Sequence, residues 1–339
     1  MKLTLAGDSV AGMASTTPSL RCSPAVRALG HAPIGTAPLR TSFLLLDVPL
    51  PWGRDLAEDP ALAPVLQAID RAADRGERWR LQGIVPPADA PQHRVIAHHL
   101  PPGAHVGHRR HEVQVTSSEV IEVAAALVDG PLTGPPVAVG ADDLLVCTHG
   151  RRDACCGSNG TSLWKELRDT TDLLPATTRL HRTSHTGGHR FAPTAIHLPS
   201  ATSWAWLDAA TVRTIARRDA PFATVAHLYR GSCSLSTPAE QVAEQAVLRE
   251  VDWPWLDCRR QGAVVADGSR HHVELAYVAP DGTAGVWSAE VVAADRVPVP
   301  ACGAPVEQAP KYEVVHAIVP GTLSHRTESE SHWWKSDSH

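Results

Sequence analysis

Two short stretches of this 339-residue chain concentrate side chains that bind soft and borderline metals. The first is Cys147-Thr148-His149-Gly150-Arg151-Arg152-Asp153-Ala154-Cys155-Cys156-Gly157; the second is His185-Thr186-Gly187-Gly188-His189. Thiolates paired with imidazoles are the ligand inventory of zinc, and equally of a [2Fe-2S] cluster held by two cysteines and two histidines. A cluster would make the protein a handler of electrons rather than of substrates. Zinc knuckles space their cysteines roughly two to four residues apart, so that one turn wraps one ion. Eight residues separate Cys147 from Cys156, a loop that suits a larger object such as a two-iron rhomb. Between His185 and His189 stand Gly187 and Gly188, and each glycine would cost a helix roughly 1 kcal/mol, so the segment reads as an open loop whose amides can approach cluster sulfides. In a chain with 19 histidines a close pair alone is weak evidence. Two ligand pairs, each at the end of a strand of one α/β unit, are a stronger signal.

The elements that must position these loops follow from hydrophobic period and turn residues. Ser42 to Val48 reads as a buried strand, Pro60 to Ala73 as a helix, and Trp79 to Val85, Arg94 to Leu100 and His111 to Val115 as strands. Thr116-Ser117-Ser118-Glu119 then opens a second helix. Beyond the Pro/Gly segment Gly130 to Pro136 the order β-α-β-β-β-α recurs. Asp143 to Cys147 is a strand and Ser162 to Arg168 a helix; Thr177 to Thr183, Ala192 to Leu198 and Trp204 to Leu207 are strands, and Ala209 to Arg218 is a helix. The expectation is an α/β fold built from two copies of one unit, only the second carrying ligands. Ala239 to Arg249 is a further helix, and strands at Gly262 to Ala266, His272 to Val278 and Gly285 to Val292 form a small antiparallel sheet. The expected organisation is a loose segment 1–40, an α/β domain without ligands 41–130, a ligand-bearing domain 140–235, a helix and β-hairpin section 236–300, and a loose tail 301–339.

Composition narrows the function classes. With 43% hydrophobic and 20% charged residues the chain can build a sizeable core. The net charge of -5 and the scattered arginine pairs give no basic field for nucleic acid. Asp8 interrupts the N-terminal apolar run, and no window approaches the roughly 18 apolar residues of a membrane span, so no membrane association and a cytoplasmic location are expected. Seven cysteines, an odd number spread through a long chain, do not form a secreted disulfide framework. No Cys-x-x-Cys occurs, which argues against dithiol exchange, and neither dinucleotide nor P-loop glycine patterns occur, so an electron donor would be another protein.

The strings Val146 to Gly157 and Ser184-His185-Thr186-Gly187-Gly188-His189-Arg190-Phe191-Ala192 resemble the sucrase/ferredoxin-like family of thioredoxin-like ferredoxins. The similarity extends to Cys22-Ser23, Gly35-Thr36-Ala37, Leu44-Leu45-Leu46-Asp47 with Pro51-Trp52-Gly53, Tyr229-Arg230-Gly231, and Gln241 with Glu244. The resemblance implies a thioredoxin-like ferredoxin domain binding one [2Fe-2S] cluster. Its two cysteine ligands fall on Cys147 and on the cysteine before glycine, Cys156; its histidine pair falls on His185 and His189. Two departures stand out: Cys155 is a competing thiol, and Ala192-Pro193-Thr194 replaces the Ala-Gly-Asn that often follows the histidines. Cys22 matches a family position without an evident chemical role; it, Cys233, Cys258 and Cys302 read as small buried hydrophobes. His149 is expected to stack within the loop, and His181 to lie along a strand.

The expected activity is one-electron transfer by a non-catalytic carrier between a separate redox protein and an acceptor that the sequence does not identify. Imidazoles in place of two thiolates place the potential above that of an all-cysteine cluster, and loss of their second N–H protons makes it fall as pH rises. Arg151, Arg152 and Arg190 flank the loops, placed to raise the potential or to dock an acidic partner. The rivals are a zinc protein using the same four ligands and a sucrose-hydrolysing enzyme. Hydrolysis needs two carboxylates across a glycosidic bond, and spacing singles out no pair among Asp47, Asp153 and Glu166.

Overall fold

The computed structural model describes residues 21–88, 91–100, 108–130, 141–302 and 304–321. The sequence readings of Met1 to Asp8, Pro131 to Pro136 and the tail beyond residue 321 lie outside these residues. The architecture is mixed α/β, with two sheets flanked by helices.

Strand β1 (Ser42–Asp47) is buried along its whole length, as a run of apolar residues on both faces requires. It pairs in parallel with β2 (Trp79–Ile84) and antiparallel with β3 (His93–His99), which pairs antiparallel with β4 (Arg109–Val115). Before β1 lies a short helix, α1 (Cys22–Ala28); α2 (Ala63–Asp74) makes the β1-to-β2 crossover and α3 (Val120–Asp129) follows β4. Val65, Ala68 and Ala72 of α2 and Val120, Ala124 and Val128 of α3 recur at helical spacing and pack on Leu44, Leu46, Val95 and Ala97.

The same order and pairing senses occur again. Strand β5 (Asp142–Cys147) pairs in parallel with β6 (Thr178–Thr183) and antiparallel with β7 (Ala195–Leu198), which pairs antiparallel with β8 (Thr202–Trp204). Helix α4 (Thr161–Asp169) makes the crossover and α5 (Ala209–Arg217) follows. The two sets join where β2 meets β6 at Ile84 and Thr183, and β9 (Tyr229–Ser232) extends the far end. One open sheet results, in the order β4-β3-β1-β2-β6-β5-β7-β8-β9.

The strand faces turned away from the helices share a core. Phe43, Leu45 and Ile96 of the first set cluster with Leu145, Ile196 and Leu198 of the second. Beside them the buried carboxylate of Asp143 accepts hydrogen bonds from His98 Nε2 at 2.7 Å and Arg110 Nε at 2.8 Å, from the first set, and from His181 Nε2 at 2.7 Å. His181 thus lies along a strand, and its side chain joins the two halves.

Helix α6 (Pro238–Val251) begins with a reciprocal cap between Thr237 and Glu240. Its Val242, Ala243 and Val247 pack between the large sheet and a four-stranded antiparallel sheet of β10 (Arg259–Asp267), β11 (Arg270–Val278), β12 (Ala284–Ala301) and β13 (Ala304–Gly321).

Several elements differ from expectation. Helix α1 lies within the segment read as loose; it has no side-chain cap and is held by burial of Cys22, Ser23 and Val26. Strand β13 lies within the tail read as loose; β12 and β13 carry prolines and repeated register shifts, which erase the period-2 pattern. The strand expected from Trp204 ends there, because Trp206 takes a left-handed φ of 49°. Among the described residues no helix is long and apolar enough to cross a membrane.

Candidate metal centre

Cys147 is the last residue of β5, and the loop after it must return to the strand end for a second cysteine to meet the first. Glycines make the return possible. A Cβ on Gly157 would stand 2.5 Å from Gly150 Cα, and one on Gly160 would stand 1.8 Å from the Cys147 carbonyl oxygen, so two backbone crossings depend on missing side chains. Cys156–Gly160 winds as a single π-helical turn into α4. Asp153 caps that turn, its Oδ1 accepting from the backbone N–H of Cys155 at 2.8 Å and of Cys156 at 3.4 Å.

The second loop follows β6, parallel to β5, so both loops emerge at the same sheet end. The sulfurs of Cys147 and Cys156 and Nδ1 of His185 lie within 4.8 Å of one another, with His185 Nδ1 at 3.9 Å and 4.0 Å from the two sulfurs. Both cysteines are wholly buried. His149 holds His185 in place: its Nδ1 accepts the His185 N–H at 3.2 Å while its Nε2 donates to Gly53 O at 2.7 Å, and its ring meets Trp52 edge-on. From β2 of the first half, Arg80 donates to His185 O at 2.5 Å.

His189, the fourth expected ligand, stands beside this group rather than within it. Its ring centroid is 6.2 Å from that of His185, and its Nδ1 is 3.2 Å from Asp153 Oδ2. The turn between the histidines uses left-handed backbone at Gly187 (φ 87°) and Gly188 (φ 72°). Arg230, buried beneath it, donates to Gly187 O at 3.2 Å, Ser203 Oγ at 3.0 Å and Thr36 Oγ1 at 3.1 Å, and to Thr36 O.

Electrostatics around the donors is uneven. The Cys156 S–H and His185 hold the Cys147 thiol well below its usual range against the cost of burial, while Cys156, donating to that sulfur and buried, is pushed up. Burial opposes ionisation of Asp153, yet the bond from His189 and the backbone donors hold it at about 2. Burial lowers the Arg80 and Arg230 guanidiniums to about 10. A cleft of about 370 Å³ opens beside His185, bordered by Arg54, Asp55, Arg80, His149 and Arg152.

Asp153, Arg80 and Arg230 escaped the sequence reading as supports of the site. Arg230 sits in a quoted motif, and an arginine between tyrosine and glycine in an apolar neighbourhood was its only signal; Arg80 gave none. Of the carboxylates weighed for hydrolysis, Asp47 is paired with Arg94 at 2.7 Å and Asp153 is engaged by its loop and His189.

A family model described as Sucrase/ferredoxin-like matches residues 33–231, more than half of the chain, and that stretch contains all four expected ligands. The chain belongs to the sucrase/ferredoxin-like family. No curated protein and no solved structure gives a significant match.

Proposed function

We propose that this member of the family is a one-electron carrier, a thioredoxin-like ferredoxin holding one [2Fe-2S] cluster through Cys147, Cys156, His185 and His189. The observation that carries the reading is the convergence of two buried sulfurs and an imidazole nitrogen at the ends of two parallel strands. The strand order β8-β7-β5-β6, with its parallel crossover and antiparallel pair, supports the thioredoxin-like assignment. When bound, such a cluster takes up and returns a single electron.

The chain's own residues prepare that chemistry. Asp153 occupies Nδ1 of His189 and leaves Nε2 as the nitrogen for metal, whereas His185 offers Nδ1. His149 and Arg80 fix the His185 backbone, and Arg230 fixes the turn between the histidines. The buried guanidinium of Arg230 and the partly buried one of Arg80, near the donors, favour the more negative, reduced state and so raise the potential, in the same direction as neutral imidazole ligation. The arginine-bordered cleft beside His185 suits an acidic redox protein as partner.

Anaerobically purified protein is expected to be red-brown, with two irons and two acid-labile sulfides per chain; a colourless protein without iron would overturn the reading. His185→Cys and His189→Cys are each expected to keep a cluster and lower its potential, and an unchanged spectrum and potential would remove that histidine from the ligand set.

A further inference from the structure

A second group of donors stands behind the first. Cys22 of α1, Cys155 and Asp153 of the ligand loop, and Cys302 at the β12–β13 turn place three sulfurs and a carboxylate oxygen within 4.8 Å of one another. Cys22 Sγ is 3.4 Å from Cys302 Sγ, Cys155 Sγ is 3.5 Å from Cys302 Sγ, and the Asp153 oxygens are 3.7 and 3.8 Å from Cys22 Sγ. A tetrahedron of sulfurs bonded to zinc at roughly 2.3 Å has edges of about 3.8 Å, so the donors are already spaced as the corners of such a site. All three thiols are free; Cys22 and Cys155 are buried, with Cys302 partly so.

We propose that Cys22, Cys155, Cys302 and Asp153 bind one zinc ion, separate from the Cys147, Cys156 and His185 group. Four protein donors close the coordination shell, as in structural rather than catalytic zinc sites. Asp153 can serve both sites: one oxygen stays with His189 Nδ1, and the carboxylate retains lone pairs beyond the one that takes the Cys155 N–H. The ion would tie three remote segments together, since Cys22 and Cys302 are 280 residues apart in the chain. It would also sequester Cys155, leaving Cys156 alone of the adjacent pair to face His185. This goes beyond the proposed cluster and shares no thiol with it, although the two sites abut: Cys22 Sγ lies 3.4 Å and Asp153 Oδ2 3.2 Å from His189 Nδ1.

The test measures zinc and iron together on the full chain, expressed with added Zn²⁺ and freed of loose metal by a chelator. About one zinc per chain is expected, falling at least tenfold in Cys302→Ser and Cys22→Ser, with iron content and visible spectrum unchanged in Cys302→Ser. Cys147→Ser is expected to do the reverse, losing iron and keeping zinc, so failure of either proposal is read separately. Wild-type protein without retained zinc, or equal zinc in wild type and Cys302→Ser, would overturn the site. Should the variants not fold, zinc-edge X-ray absorption of the wild type decides: three sulfurs and one oxygen support the assignment, and a histidine nitrogen in the shell overturns it.

Discussion

The Arg230 guanidinium fills the space that a side chain on Gly188 would need: a Cβ there would stand 2.5 Å from Arg230 Cζ. The glycine also takes a left-handed φ of 72°, which costs other residues roughly 1–2 kcal/mol. Gly188→Ala is therefore expected to displace Arg230 from Gly187 O, Ser203 and Thr36, bonds to a charged donor worth roughly 1.5–3 kcal/mol each. The expected loss is about 3 kcal/mol or more in urea unfolding, with reduced iron content. Gly187→Ala is the control. Its Cβ would meet nothing within 4 Å, so only the backbone cost of roughly 1–2 kcal/mol applies. Equal losses in the two variants would show that Arg230 does not support the turn.

Acid should weaken the fold in two stages. Burial lowers His108 from an ordinary value near 6.5 to about 3, so the unfolded chain binds a proton that the folded one refuses. The stability contributed by neutral His108 is complete above pH 6.5 and declines as pH falls toward 3, at about 1.4 kcal/mol per pH unit. Burial opposes the charge on Asp143, yet His181, His98 and Arg110 hold its carboxyl far below the usual range, so its contribution is lost only below about pH 4. Unfolding free energies from urea at pH 7.5 and 5.5 are expected to differ by about 1 kcal/mol or more, and His108→Leu should make that limb shallower, the remainder coming from His98, His99 and His111, which burial also lowers. A wild-type midpoint that does not move between these pH values would refute the burial argument.

The parts legible in the sequence are those decided locally. Leu44-Leu45-Leu46 and Leu144-Leu145-Val146 announce buried strands, and helical periods recover α2 to α6. The pairing of Phe43 and Leu45 with Leu145 and Ile196 was not legible, because a strand apolar on both faces does not say which face meets a helix. At the candidate site, residue type and spacing single out the two loops, and the resemblance selects Cys156 over Cys155; Cys147, Cys156 and His185 then meet at one sheet end. They do not reveal that His189 turns to Asp153, nor that Arg80, remote in sequence, holds His185 O. Cys22 and Cys302 read singly as small hydrophobes, and only the tertiary fold makes them neighbours.

Besides its place in the proposed zinc site, Asp153 carries two tasks that can be separated by substitution. It accepts the backbone N–H of Cys155 and fixes His189 through Nδ1. Asp153→Ala removes both, and loss of such an outer partner commonly lowers metal affinity by roughly 10–100-fold. Asp153→Asn keeps an acceptor for Cys155 without the charge that holds His189. The expected order of iron retention against a chelator is wild type, then Asn, then Ala, with far-ultraviolet circular dichroism unchanged. Asparagine and alanine variants that hold iron as firmly as wild type would mean His189 is not oriented by this carboxylate.

The cleft beside His185 makes a prediction about charge that needs no knowledge of the physiological partner. Arg54 and Arg152 lie on its exposed border, and Arg152 has Asp55 at 3.4 Å as its ion-pair partner. Under the proposed function, electrons leaving through this cleft would pass a rim carrying Arg54 and Arg152, which would favour a negatively charged oxidant. Oxidation of the reduced protein by ferricyanide is expected to slow about tenfold in Arg54→Glu plus Arg152→Glu at low salt, while oxidation by a tripositive cobalt hexaammine accelerates. The two effects should collapse near 1 M salt, where screening acts within about 3 Å. Both substitutions lie outside the donor set, so iron content serves as the control for folding. Rates that shift in the same direction for both oxidants would report altered stability or access, and unchanged rates would place the electron's exit on another face, such as the partly exposed edge of His189.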